Sequence, residues 1–124
     1  MAIRYDPGAA PDPNRWLALS EDERTELVLK YHRRAKVKLP NARVHAAMHV
    51  MVENQVAEGH EAAVAALARL VGGGLRRHHA VHAIASVAIL QMRAVMQGGR
   101  EFDQAAYERE LRALTVERWS RGIG

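Results

Sequence analysis

Apolar residues along this chain recur at three- and four-residue spacing, and nowhere do they alternate as a half-buried strand would require. Leu27, Tyr31 and Ala35 repeat every fourth residue and are expected to face inward. Val64, Leu67, Ala68 and Val71 share one helical face, and Tyr107, Leu111 and Leu114 form another stripe. The longest seam runs through His78, His82, Ala85, Ile89, Met92 and Met96, in steps of 4, 3, 4, 3 and 4 residues. A matching seam, His45, His49, Val52 and Val56, steps by 4, 3 and 4.

Polar residues punctuate these seams. Ser20 followed by Glu23 is a capping box, which satisfies two orphan backbone donors at a helix start. That helix runs to about Ala35, and Pro40 ends its segment. Asn41 is an N-cap for a helix over Ala42–Glu58, with Gly59 at its C′ position. A third helix spans about Glu61–Val71, and Gly72–Gly74 breaks the chain. The longest helix follows, from Leu75 to about Gln97, ended by Gly98-Gly99, and Asp103 caps the last. The pattern predicts an all-α, single-domain bundle of about five helices with little or no strand. Residues 1–19 are expected to form an extended arm with a short helical turn after Asp12-Pro13. Residues 20–119 form the bundle, and residues 120–124 a frayed tail.

Four of the seven histidines stand as two His-x-x-x-His pairs, each heading an apolar seam. On a helix this spacing puts both imidazoles on one face, one turn apart, where a single ion can bridge them. If the intervening helix is one antiparallel crossing, the two histidine helices run parallel and both pairs lie at one level. His45, His49, His78 and His82 are therefore the candidate metal ligands. Glu53, one turn beyond His49, is a fifth ligand or an outer acceptor orienting an imidazole N–H, with a solvated glutamate on the helix surface as an equal alternative. An all-nitrogen set suits zinc first, with iron, nickel or copper as alternatives. The competing reading is a metal-free, hydrogen-bonded histidine cluster. His79 competes with His78 as the partner of His82, although the seam favours His78. Ser86 stands one turn beyond His82, where it can hydrogen-bond nearby. His32 and His60 belong to no pattern and are expected at the surface.

Composition narrows the options. Apolar residues make up 48% of the chain but aromatic ones only 5%, so alanine, valine and leucine must supply a closely packed helical core. The scarcity of aromatic rings also makes bis-histidine haem a minor option. No apolar run approaches the roughly 20 residues needed to span a bilayer, and no secretory h-region is visible, so no membrane role is expected. The absence of cysteine removes disulfides and thiolate metal sites, which points to a reducing, cytoplasmic setting. The net charge of +4 is uneven, with Lys30, Arg33, Arg34, Lys36, Lys38 and Arg43 falling in an interval without acids. This stretch supports an alternative of another class, a metal-free interaction module that meets nucleic acid or another anionic partner. In that reading Met48, Met51, Met92 and Met96 pack a homodimer, although gap filling in the core is the preferred explanation for them.

At Asn41-x3-His45-x3-His49…Gln55, at His78-x3-His82 and at the ending FDQAAYERELRAL, the chain resembles a bacterial all-helical family known only as a domain of unknown function. The resemblance covers about residues 40–114, with Tyr107 and Leu111 as packing residues, and it implies no activity. The chain departs from the family pattern in its first 40 residues and at His79 and Ser86.

Several familiar chemistries lack their residues. Ala46 and His79 stand where a zinc protease needs the glutamate of His-Glu-x-x-His. No Glu-x-x-His serves a di-iron bundle, and no Gly-x-Ser-x-Gly serves a hydrolase. Gly72–Gly74 has neither the preceding strand nor the Lys-Ser/Thr of a P-loop. What is left is a histidine site whose biochemical role the motifs do not name.

Overall fold

The computed structural model describes residues 3–98 and 101–120. Gly99, expected to help end the long helix, and tail residues 121–124 lie outside the described residues. All regular structure among the described residues is helical: α1 Pro13–Leu17, α2 Glu21–Arg34, α3 Ala42–Ala57, α4 Glu61–Gly72, α5 Arg77–Gly98, α6 Gln104–Ala113 and α7 Val116–Ser120. The protein is all-α, as its periodicity requires. Two short helices add to the five expected: α1 is the turn after Asp12-Pro13, and α7 occupies part of the segment expected to fray. The chain gathers into two compact units, Met1–His60 and Glu61–Gly124.

Local signals set the helix ends of the N-terminal unit. The Asp12 side chain accepts from the Arg15 N–H, and Pro13 sits where its missing N–H costs nothing. Ser20 and Glu23 close the capping box, and Asn41 accepts from the Val44 N–H. At the other end of α2, Val37 N–H reaches His32 O and Lys36 N–H reaches Arg33 O, a Schellman pattern. It places Lys36 at a left-handed φ of 58°.

Tyr5, Trp16, Val28, Leu29, Ala46 and Val50 form the core of this unit. The expected inner face of α2 is displaced by about one residue. Val28, Leu29 and His32 are buried, while Leu27 and Tyr31 form the margin and Ala35 is exposed. Ala46 lets α2 and α3 approach closely, and Tyr5 is buried against Trp16 and Tyr31 at ring-centroid distances of 5.7 and 6.1 Å. The expected extended arm is thus packed into the core, with Arg34 donating to the Tyr5 carbonyl oxygen at 3.1 Å. A polar clamp ties α1, α2 and α3 together. Trp16 Nε1–H and Arg24 both donate to Asn54 Oδ1, and Arg24 also donates to the Trp16 and Leu17 carbonyls that end α1.

In the C-terminal unit α4, α5 and α6 pack against one another. The buried face of α4 is Ala62, Ala63, Ala66 and Leu70, not the valine-bearing face expected; Val64 and Val71 are exposed. Alanines on α4 and on α5 (Ala80, Ala83, Ala88) allow close packing that valine would hold apart. The predicted seam of α5 fails in its second half, where Met92 and Met96 are exposed. Length explains this: α5 has 22 residues and α4 has 12, about 33 Å against 18 Å at the helical rise, so α4 cannot cover it. Among the described residues α5 is long and apolar enough to cross a bilayer, which the sequence reading did not anticipate. Its buried face forms the core of this unit. Arg69 closes the packing by donating to the Leu111 and Leu114 carbonyls at the end of α6.

Candidate metal centre

The N-terminal unit holds three imidazoles in mutual contact. His32 comes from the last turn of α2, and His45 and His49 from consecutive turns of α3. Their ring centroids lie 4.9 Å (His32–His45), 5.1 Å (His32–His49) and 4.9 Å (His45–His49) apart. His49 Nε2 approaches His45 Nε2 to 3.1 Å, and a ring nitrogen of His32 lies within 4.8 Å of one of His49. His32 and His49 are buried, and His45 is partly so.

Hydrogen bonds orient two of these rings. His32 Nδ1 lies 2.9 Å from the Val28 carbonyl oxygen, which only accepts, so Nδ1 bears the proton and Nε2 the lone pair of the neutral ring. Tyr5 OH donates to Glu53 Oε2 at 2.7 Å and lies 3.0 Å from His49 Nδ1. With its proton directed to the carboxylate, the phenol oxygen accepts from His49 Nδ1–H. Nε2 is then the lone-pair nitrogen of His49, on the side of His45. Burial first, and repulsion from His32 second, hold the His45 pKa below the ordinary imidazole value. The lowered pKa of His45 favours its neutral ring, the state in which imidazole binds a metal.

Two nitrogens 3.1 Å apart, each about 2.05 Å from a shared ion, subtend about 100° at it, between octahedral and tetrahedral angles. The histidine cluster could therefore hold a transition-metal ion.

In the C-terminal unit His78 and His82 lie 4.5 Å apart by ring centroid. His79 is exposed and 6.4 Å from His78, which makes His78 the partner of His82 within this helix. Ser86 donates to the Ala83 carbonyl of its own helix. Glu53 is buried, with Tyr5 as its hydrogen-bond donor.

Two members of the N-terminal cluster escaped the sequence reading. His32 was expected at the surface and is buried. The available clue was its place four residues after Val28, on a stripe that the Leu27–Tyr31–Ala35 repeat masked. Tyr5 lies in a proline-rich arm without periodicity, so no local pattern marked it. The basic side chains Lys30, Arg33, Arg34, Lys36, Lys38 and Arg43 are exposed, but Arg33 and Arg43 face Glu26, and Arg34 holds the arm.

Fold and site together define a small all-α protein with a buried histidine cluster braced by a tyrosine and a carboxylate. No protein-family model, curated protein or solved structure matches the chain.

Proposed function

We propose that this is a cytoplasmic metal-binding protein that takes a transition-metal ion, zinc in the first instance, on the imidazoles of His45 and His49. His32 joins them as a ligand, and Glu53 acts as an outer group through Tyr5. His78 and His82 supply two further imidazole donors, a role supported by their repeat of the His-x-x-x-His spacing. The observation that supports the reading best is the 3.1 Å approach of His45 Nε2 and His49 Nε2. Two ring nitrogens brought this close need either a proton between them, as in an N–H···N hydrogen bond, or a shared cation.

The test is elemental analysis of untagged protein purified without chelator, alongside His49→Ala and His82→Ala. Stoichiometric metal in the wild type, and its loss in both variants, is the expected result. Near-zero metal in the wild type, or loading unchanged in both variants, would sink the proposal.

A further inference from the structure

Tyr5 has no place in any motif of the chain, yet it touches the site at its most consequential atom. It is 1% exposed and forty-four residues from His49 in sequence, and its hydroxyl bridges His49 Nδ1 and Glu53 Oε2. Its ring is held independently of that hydroxyl, by Trp16, by Tyr31 and edge-on by His49 itself. The Arg34 bond to its carbonyl anchors the backbone. The hydroxyl therefore sits in a fixed position with little freedom to choose other partners.

We infer that Tyr5 is a positioning residue which, by donating to Glu53, holds His49 as the Nδ1–H tautomer with the Nε2 lone pair turned toward His45. The order of donors follows from chemistry. A carboxylate can only accept, so it takes the one proton of the phenol. The phenol oxygen keeps lone pairs and asks the imidazole for a proton at Nδ1. Histidine ligands usually have the second nitrogen held by a carboxylate, a carbonyl or water; here a phenol stands between imidazole and carboxylate. The N-terminal arm thereby completes a site whose nitrogens come from α2 and α3. The effect on metal affinity rests on the proposed metal-binding role, whereas the tautomer does not.

Tyr5→Phe in the full-length protein removes the hydroxyl and keeps the ring, so the contacts with Trp16 and Tyr31 survive. Nitrogen-15 spectroscopy of the histidine side chains in metal-free protein is expected to show His49 protonated at Nδ1 in the wild type. In Tyr5→Phe a mixed or Nε2–H population is expected, and Zn²⁺ binding, measured by competition with a chromogenic chelator, should weaken about 10- to 100-fold. An unchanged His49 tautomer in Tyr5→Phe overturns the inference, whereas an altered tautomer with undiminished Zn²⁺ affinity upholds it and refutes only its consequence for metal binding. A wild type that binds no Zn²⁺ refutes the metal-binding role, while the tautomer comparison still decides the role of Tyr5. Should Tyr5→Phe fail to fold, Glu53→Gln replaces the acceptor-only carboxylate with an amide that can itself donate to the phenol. The phenol proton is then released toward His49 Nδ1, and growth of the Nε2–H tautomer is expected; its absence overturns the inference.

Discussion

Replacing His32 with phenylalanine separates ligation from packing at the cluster. The substitution keeps an aromatic ring where His32 meets His45 and His49 edge-on at 4.9 and 5.1 Å. It removes both ring nitrogens, including the Nδ1–H that donates to Val28 O. That lost hydrogen bond costs about 1 kcal/mol of folding stability, because the Val28 carbonyl retains its place in the helix. The effect on metal is larger. Structural zinc sites are worth roughly 10–16 kcal/mol over about four ligands, so one imidazole accounts for about 3–4 kcal/mol. At about 1.4 kcal/mol per tenfold, Zn²⁺ affinity should fall about 100- to 1000-fold. Competition against a chromogenic chelator measures this, with His60→Ala, outside the cluster, as a control that should match wild type. A His32→Phe protein that folds and binds one Zn²⁺ within about threefold of the wild-type Kd would refute the assignment of His32.

Two further outcomes are expected. In metal-free protein the His45 ring has its pKa held below the ordinary imidazole value, by burial and then by His32. The unfolded chain therefore takes up this proton first, so stability is intact above about pH 6.5 and declines as pH falls from there toward the lower folded value. Urea denaturation at about pH 7.5 and 5.5 measures the decline, and an undiminished decline in His45→Gln would count against it. At the end of α2, Lys36→Gly relieves a non-glycine residue held at φ 58°; it should raise stability by about 1 kcal/mol, seen as a higher Tm. A lower Tm would mean that the Lys36 side chain contributes more than its backbone conformation costs.

Which features were legible in the sequence follows from the range over which each is determined. Helix starts were readable because a cap is a contact across three residues: Ser20 with Glu23, Asn41 with Val44 and Asp103 with Ala106 all form as expected. The contact between His45 and His49 was readable for the same reason, since one helical turn brings i and i+4 together. The inward faces of α2 and α4 were harder. Both helices offer two adjacent apolar stripes, and the choice between them belongs to the surface each meets. For α4 that choice fell on Ala62, Ala63 and Ala66, because close packing against α5 favours small side chains over bulkier valines.

The remainder of the site is non-local. His32 joined the cluster only when α2 packed on α3, and Tyr5 only when the arm folded back over Trp16. A proline-rich arm without periodicity has no local reason to be buried, and the single hydroxyl that reaches both His49 and Glu53 leaves no trace in residue spacing. By itself the sequence determined that the chain is helical, where most helices begin, and that two turns of α3 present paired imidazoles. The tertiary structure decided which third imidazole joins them and which groups orient them, because those contacts depend on how separate segments pack and not on the repeat of any one helix.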